Sequence, residues 1–441
     1  MRGAAARTPV CSVLPCGPSG RAFLMLQRRP PALYAAFDRF PTRKGASIHI
    51  ERFARCLFDE AGGGLLYVMG GSEYPSHQIE DDVEIVRFSE VVPNFLHRTI
   101  AFGRRLACVL EEAADSLKIC HFRDPWSGVP LLLRPRRRYR TVYEVNALPS
   151  IELPYTYPSA APISLDKIRN LERFCLDRAD RVVTPSATTR DLLVSIGTDP
   201  AKIRVVPNGA DVGPRPPRPV AAPPYYLIYF GALQPWQGVD TLIRAFARLA
   251  DIPELQLVIC ASARSRHAER LRQLSARLGV AERTMWQCEL PEPELTGFRA
   301  HATLSIAPLS ECARNVVQGC SPLKILESMA SGTPVVASDL PPVREIITDG
   351  IDGRLVPPDR PPDLARAIRV LLEHPHVIED LGRRAEACIR SRFTWGRALA
   401  SLRGVYGALG DGADERDPDR VVDAPAESRR EGWRQSGAPE Q

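Results

Sequence analysis

The stretch Ser321-Pro-Leu-Lys-Ile-Leu-Glu327 carries the densest chemical signal in the sequence. Serine is a favoured helix N-cap and proline fits the first helical position, so the run predicts a helix opening at Ser321 and stopping near Gly332. Lys324 then falls at the third helical position. A helix start is the positive end of the macrodipole, and a capping box prefers Glu or Gln there. A cation in that place makes sense if a multiply charged anion docks on the helix-start amides, as phosphates do. Glu327, three residues on, shares the face. An ammonium suits a diphosphate, and a carboxylate suits the vicinal hydroxyls of a ribose. An ordinary surface Lys–Glu pair is the competing reading.

Other candidates sit at expected strand-to-loop junctions. Arg314, in Arg314-Asn-Val-Val-Gln-Gly-Cys320, is a second cation near the helix start, or a loop arginine bonded to backbone. Lys118-Ile-Cys-His-Phe-Arg-Asp-Pro125 offers His121, Arg123 and Asp124, although a histidine at a buried strand end is usually a satisfied core residue. Tyr143-Glu-Val-Asn146 and Glu152 offer Glu144 and Asn146 as acceptor contacts, with a structural role for Glu144 equally in view. The loop Asp38–Ser47 holds Gly45, which allows close backbone approach. His49 follows it, and a packing or surface role is the blander reading. Gly17-Pro-Ser-Gly-Arg21 lacks the lysine and spacing of a P-loop, and no zinc spacing or G-x-S-x-G is present.

Around these residues the chain has 441 positions, 44% hydrophobic and 25% charged, which are globular values. Basic residues number 58 against 52 acidic, for a net charge of +6. That modest excess demands no nucleic-acid partner. No run of about 18 apolar residues suggests a membrane span. The dense basic run Arg134, Arg136, Arg137, Arg138 and Arg140 reads as a solvated loop, or as contact with an acceptor at the inner membrane face. The 11 cysteines are unpatterned, which predicts reduced thiols in a cytoplasmic protein.

Strand-like runs at Leu33–Phe37, Leu65–Met69, Ile85–Phe88, Leu117–His121, Thr141–Val145 and Arg181–Thr184 alternate with helical patterns, notably 95–114 and 164–178. That alternation predicts a parallel sheet covered on both faces. Six prolines between Pro214 and Pro224 tolerate neither helix nor central strand and predict a linker over 213–224. The same grammar then repeats: strand Tyr225–Phe230, helix Val239–Ala250, strands Leu255–Cys260, Leu304–Ala307 and Pro334–Ala337, and helices to about 409. The expected units are therefore an N-terminal domain over 31–212 and a C-terminal domain over 225–390. A last helical segment follows over 391–410, with disordered tails at 1–30 and 411–441. Two such sheets place ligands beyond the carboxyl ends of their strands, in a cleft between the domains.

The stretch Glu327-Ser-Met-Ala-Ser-Gly-Thr-Pro-Val-Val-Ala337 resembles the donor-binding signature of the retaining glycosyltransferases of family 4. The likeness continues through Ser338–Ile347 and Gly350–Pro357, and Lys202–Asp211 resembles the family's approach to its linker. It spans roughly residues 32–409 and is strongest in the second half. It implies an α/β chain of GT-B fold, two Rossmann-like doubly wound domains facing across a cleft, with the last helix crossing back to the first. It implies retaining transfer, without a metal cofactor, from a nucleotide-diphosphate sugar to a glycan, a lipid-linked glycan or a small molecule. Carried over by position, Glu327 holds the nucleotide ribose, while Gly231, Ser321, Leu323 and Lys324 lie at the diphosphate. Gly45, His49, Asp124, Glu144 and Asn146 fall on the acceptor side.

Three positions depart from the family pattern. Gly319 stands where the first Glu of a Glu-x7-Glu motif contacts the transferred sugar. Ala232 and Gln237 stand where an Arg and a Lys clamp the diphosphate. Arg123 also replaces the second histidine of a His-x-His that faces the sugar. Either the catalytic charge has moved to Lys324 and Arg314, or the chain is a degenerate nucleotide- or glycan-binding subunit. A sugar-nucleotide epimerase on the same fold is a third reading.

Overall fold

The computed structural model describes residues 26–42, 45–71, 73–263 and 266–410. The expected tails at 1–25 and 411–441 lie outside the described residues. Residues 26–30 are tied down: the Gln27 and Arg28 amides donate to Glu84 at 2.9 and 3.2 Å. The described residues thus extend before the expected boundary at 31.

The first half runs β1 (Ala32–Arg39), α1 (Gly45–Ala61), β2 (Gly64–Met69), β3 (His77–Glu80), β4 (Val83–Phe88), α2 (Phe95–Ala113), β5 (Ile119–Phe122), α3 (Pro125–Leu133), β6 (Arg140–Glu144), α4 (Pro149–Thr156), α5 (Pro162–Arg178), β7 (Arg181–Thr184), α6 (Ala187–Ser195) and β8 (Ile203–Val205). Its strands form one sheet in the order β3-β4-β2-β1-β5-β6-β7-β8, parallel except for β3. The second half holds β9 (Tyr226–Gly231), α7 (Val239–Phe246), β10 (Gln256–Ala261), α8 (Arg266–Arg277), β11 (Thr284–Cys288), α9 (Glu292–Ala300), β12 (Leu304–Ala307), α10 (Leu323–Ala330), β13 (Val335–Ser338), α11 (Pro341–Arg344), β14 (Arg354–Val356) and the helices α12 (Pro361–Leu372), α13 (Pro375–Arg392) and α14 (Trp395–Gly410). Its six parallel strands order as β11-β10-β9-β12-β13-β14.

Parallel sheets covered on both faces need apolar strands throughout. β2 and β13 are accordingly buried along their whole length. The alternation was legible for that reason. Several of the elements that sequence reading missed have a broken signal. α3 and α4 carry Pro130 and Pro154 inside them, which masks a helical pattern. β3 and β8 are short and at sheet edges. The expected helix over 239–250 instead ends at Phe246 and tightens into a 3-10 turn at 247–249.

No regular element occupies the linker 213–224. α13 carries the chain past the expected boundary at 390. α14 returns to the first sheet, where Trp395, Leu402, Val405 and Tyr406 join a core with Tyr34, Ile50 and Phe53. Among the described residues no helix is long and apolar enough to cross a membrane. The basic run lies at the amino end of β6, the opposite end of that strand from Glu144. Arg137 and Arg140 there pair with Asp180 at 3.8 and 3.6 Å.

The two halves touch through specific polar contacts. Glu345, just after α11, accepts from the Ala187 and Thr188 amides (2.8 and 2.9 Å) and the Thr188 hydroxyl (2.7 Å) at the start of α6. A carboxylate of one half thus serves the helix start of the other. Glu345→Ala is expected to speed amide exchange at residues 187–189 by about tenfold, the size of a lost helix cap. Unchanged protection by hydrogen-exchange mass spectrometry would show that the contact holds nothing.

Candidate functional site

Gly231 ends β9 at φ +118°, a conformation open to glycine. A Cβ built on it would lie 3.6 Å from Lys324 Nζ. That ammonium donates to the Tyr229 hydroxyl at 3.0 Å and to Gln237 Oε1. It also lies 4.2 Å from the centre of the Tyr229 ring. Burial above all pushes Lys324 down to about 7; Arg314 adds to this, while Cys320 and Glu327 pull the other way. The structure therefore gathers Gly231 and Gln237, from the end of β9 and the loop after it, with Lys324 from α10 at the carboxyl end of β9.

Glu327 follows on the same helix, with 19% of its side chain exposed and Arg299 Nη1 3.4 Å away. Burial pushes its carboxyl up to about 7, against the opposing charge of Arg299. Arg299 is fixed by donating to Ser331 Oγ at 3.0 Å and lies 5.4 Å from the Phe230 ring centre. Sequence reading had no signal for this partner, which lies on α9.

Two expectations at the helix start change. Ser321 does not cap α10: Pro322 takes that position without a side-chain bond, and Lys324 becomes the second helical residue. Ser321 turns instead to Asn208, whose amide donates to its Oγ at 3.1 Å and whose side chain donates to its carbonyl at 2.6 Å. Arg314 is not a free cation. It sits on one turn of π-helix, Arg314–Gln318, and its Nε donates to Glu152 Oε1 at 2.9 Å. Its charge is already compensated by a carboxylate of the other half. Gln318 adds to that junction, accepting from the Leu148 amide at 2.9 Å. Leu323 faces the first half too, since a Cβ on Gly45 would meet its Cδ1 at 3.0 Å.

Gly319 explains one departure from the family pattern. Its backbone is at φ 79° and ψ 177°, a region held almost only by glycine. A Cβ there would come within 2.9 Å of Ser186 Oγ and Thr188 Cβ. The π turn brings the chain against α6, so position 319 has no room for a glutamate.

On the first-half side the candidates converge on Glu144, which is 1% exposed at the end of β6. It accepts from Tyr34 (2.7 Å), His121 Nε2 (3.0 Å), Arg123 Nε (2.9 Å) and the Asn146 side chain. His49 Nε2 lies 2.8 Å away. Burial raises its carboxyl, but the His49 and Arg123 charges and these bonds hold it well below the usual carboxylate range. Arg123 reaches on to Asp38 at 3.0 Å. Burial pushes the His121 imidazole down, despite Glu144. Asp124 stands apart from this cluster. It caps α3, accepting from the Ser127 amide (2.8 Å), and also from the Phe37 amide (2.6 Å), which corrects its reading as an acceptor contact. Burial pushes that carboxyl up to about 6.

A groove of about 1250 Å³ runs between α1, the linker, α9 and α13. Glu327 and Arg299 are on its wall, but Lys324 and Gly231 are not. The groove therefore does not include the helix start and its ammonium. Among the described residues no group of three or more His, Cys, Asp or Glu is arranged to hold a metal ion.

Residues 43–213 match the family model described as Glycosyltransferase Family 4, and residues 224–374 match Glycosyl transferases group 1. A D-inositol 3-phosphate glycosyltransferase of Acidothermus cellulolyticus is 35% identical over 246 residues, 52% of this chain and 53% of that protein. Its counterpart in Streptosporangium roseum is 29% identical over 302 residues, 64% of this chain and 65% of that protein. The chain thus spans about half the length of the first of these curated relatives. Among solved structures, sucrose-phosphate synthase from Thermosynechococcus elongatus superposes with a TM-score of 0.71 at 20% identity, over 87% of this chain and 100% of that one. Anabaena HepE, solved in complex with UDP and glucose, gives 0.65 at 16% identity, over 86% and 99%. These likenesses show the GT-B fold.

Proposed function

We propose that this GT-B chain, whose halves match two glycosyltransferase models, moves a sugar from a nucleotide-diphosphate donor to a hydroxyl acceptor with retention. The observation that carries the reading is the seat of Lys324. Its ammonium rests on Gln237, the position where the resemblance calls for a clamping lysine. The charge is supplied from the helix instead of from the loop after β9. A preorganised cation beside helix-start amides stabilises charge as it develops on a departing diphosphate. Glu327, held by Arg299, takes the ribose hydroxyls. The attacking hydroxyl enters on the face the diphosphate leaves, and a leaving-group oxygen accepts its proton. Glu144 and its donors shape the acceptor side.

With Lys324 carrying the diphosphate charge, transfer needs no metal. A structure of similar fold holds UDP and glucose, which makes uridine diphosphate sugars the first donors to try. The test is a panel of uridine, guanosine, adenosine and thymidine diphosphate sugars, scored for saturable binding and slow acceptor-free hydrolysis. One donor is expected to bind and be hydrolysed, and at an undiminished rate with EDTA present. Donor isomerisation without an acceptor would favour an epimerase. Binding of none would favour a degenerate subunit, and a rate lost to EDTA and restored by a divalent cation would remove the metal-free mechanism.

A further inference from the structure

We propose that His49 and Asn208 form a strut that positions the start of α10, and with it Lys324, from the acceptor-side carboxylate Glu144. The proposal rests on the transferase reading for its functional consequence, but its geometry stands separately. Ser321 is the far end of the strut, three residues ahead of Lys324. Asn208 Nδ2 lies 2.6 Å from the Ser321 carbonyl. A carbonyl only accepts, so this atom is the amide NH2 and the other amide atom is the oxygen. That oxygen lies 2.6 Å from His49 Nδ1, so Nδ1 carries a proton. His49 Nε2 lies 2.8 Å from Glu144 Oε1, off the axis of a linear hydrogen bond and with no other partner. The two ring nitrogens thus lie against two oxygens, Asn208 Oδ1 and Glu144 Oε1.

The second histidine on Glu144 is different. His121 Nε2 donates to Glu144 Oε2 at 3.0 Å, and its Nδ1 accepts from the Tyr406 hydroxyl at 2.9 Å. It is neutral and ties α14 to the same carboxylate. His49 thus lies against Glu144 beside Arg123, and Asn208 passes that anchorage to the donor half. The strut has little slack. The His49 ring packs 3.9 Å from the Phe53 ring centre. Asn208 is followed by Gly209, where a Cβ would come within 2.5 Å of the Trp395 backbone nitrogen. The turn is thus pinned against the start of α14. Both residues act through Ser321 and are positioning residues; neither touches the reacting atoms.

The test uses the full chain with His49→Gln, Asn208→Ala and Asn208→Asp, and Phe53→Leu as the control. Asn208→Asp keeps an acceptor for His49 but turns a carboxylate oxygen on the Ser321 carbonyl. Phe53→Leu loosens the same packing without cutting a bond of the strut. Hydrogen-exchange mass spectrometry without ligand is expected to show about tenfold faster exchange over residues 321–327 in the three strut variants, the size of one lost hydrogen bond in the chain. Wild-type protection should persist in Phe53→Leu. Wild-type protection in both Asn208 variants, or equal loss in Phe53→Leu, overturns the strut. With UDP-glucose hydrolysis as the second readout, the strut variants should raise KM about tenfold and change kcat far less; an unchanged KM overturns the positioning role. A wild-type chain that turns over no donor sinks the transferase reading alone, since the exchange result still decides the strut.

Discussion

Lys324→Ala is expected to remove donor binding and turnover together. A hydrogen bond to a charged partner contributes about 1.5–3 kcal/mol, so donor affinity should fall by roughly one to two orders of magnitude. Removing a group that meets developing charge should cost roughly another 10²–10³ in rate. The fold should survive, because α10 keeps its backbone bonds, the Ser328–Ser305 and Arg299–Glu327 contacts, and the packing of Ile325, Leu326 and Met329. The pH dependence has a definite sign. Lys324 titrates near 7 in the free protein and is a cation below that value. Glu327 also titrates near 7 and is a carboxylate above it. Donor affinity should therefore peak near pH 7. Lys324→Arg should remove the alkaline loss, and Glu327→Gln the acid loss. Stability carries the matching signs. The unfolded chain holds more protons at Lys324 between pH 7 and 10.5, so stability from that group rises with pH there. The folded chain holds more at Glu327 between pH 4.5 and 7, so stability from that group falls with rising pH there. Calorimetric titration of UDP against pH checks the first claim, and a flat profile in the wild type would rule out Lys324 as the diphosphate ligand.

Gly319→Glu is expected to lower activity, although it restores the residue that the family pattern calls for. The backbone conformation alone should cost about 1–3 kcal/mol in any non-glycine residue. The new Cβ would also press on Ser186 and Thr188 of the other half. Gly319→Ala tests the backbone and contact without adding charge, and should show most of the loss in thermal stability. A Gly319→Glu protein as stable as wild type and more active would mean that the π turn can move aside and that position 319 remains a sugar contact. The physical expectation is the reverse: the turn brings the two halves together through Arg314, Gln318 and Gly319, and the ion pair with Glu152 exists because it does so.

Much of this chain can be read from one dimension. Apolar strands alternating with amphipathic helices specify two parallel sheets, because each strand must be buried on both faces. Prolines between 214 and 224 separate the sheets, since they forbid both helix and central strand. The wrong-sign residue at a helix start marked Lys324, and Glu327 followed from helical spacing. Partnership across the sequence was not legible. That Lys324 rests on Gln237, that Arg299 holds Glu327, and that Asn208 answers Ser321 depend on segments brought together from positions 28 to 113 residues apart. Asn208 and Glu345 were visible only inside the stretches Lys202–Asp211 and Ser338–Ile347, with no sign of their partners, and Tyr406 gave no signal. Asp124 and Arg314 were candidates by type and place, but the fold assigns one to a helix cap and the other to an ion pair. A residue's chemistry is fixed by its side chain, and its spacing fixes which face it shares. Whether that chemistry is free to meet a substrate is fixed by which other groups the tertiary structure sets within hydrogen-bonding distance.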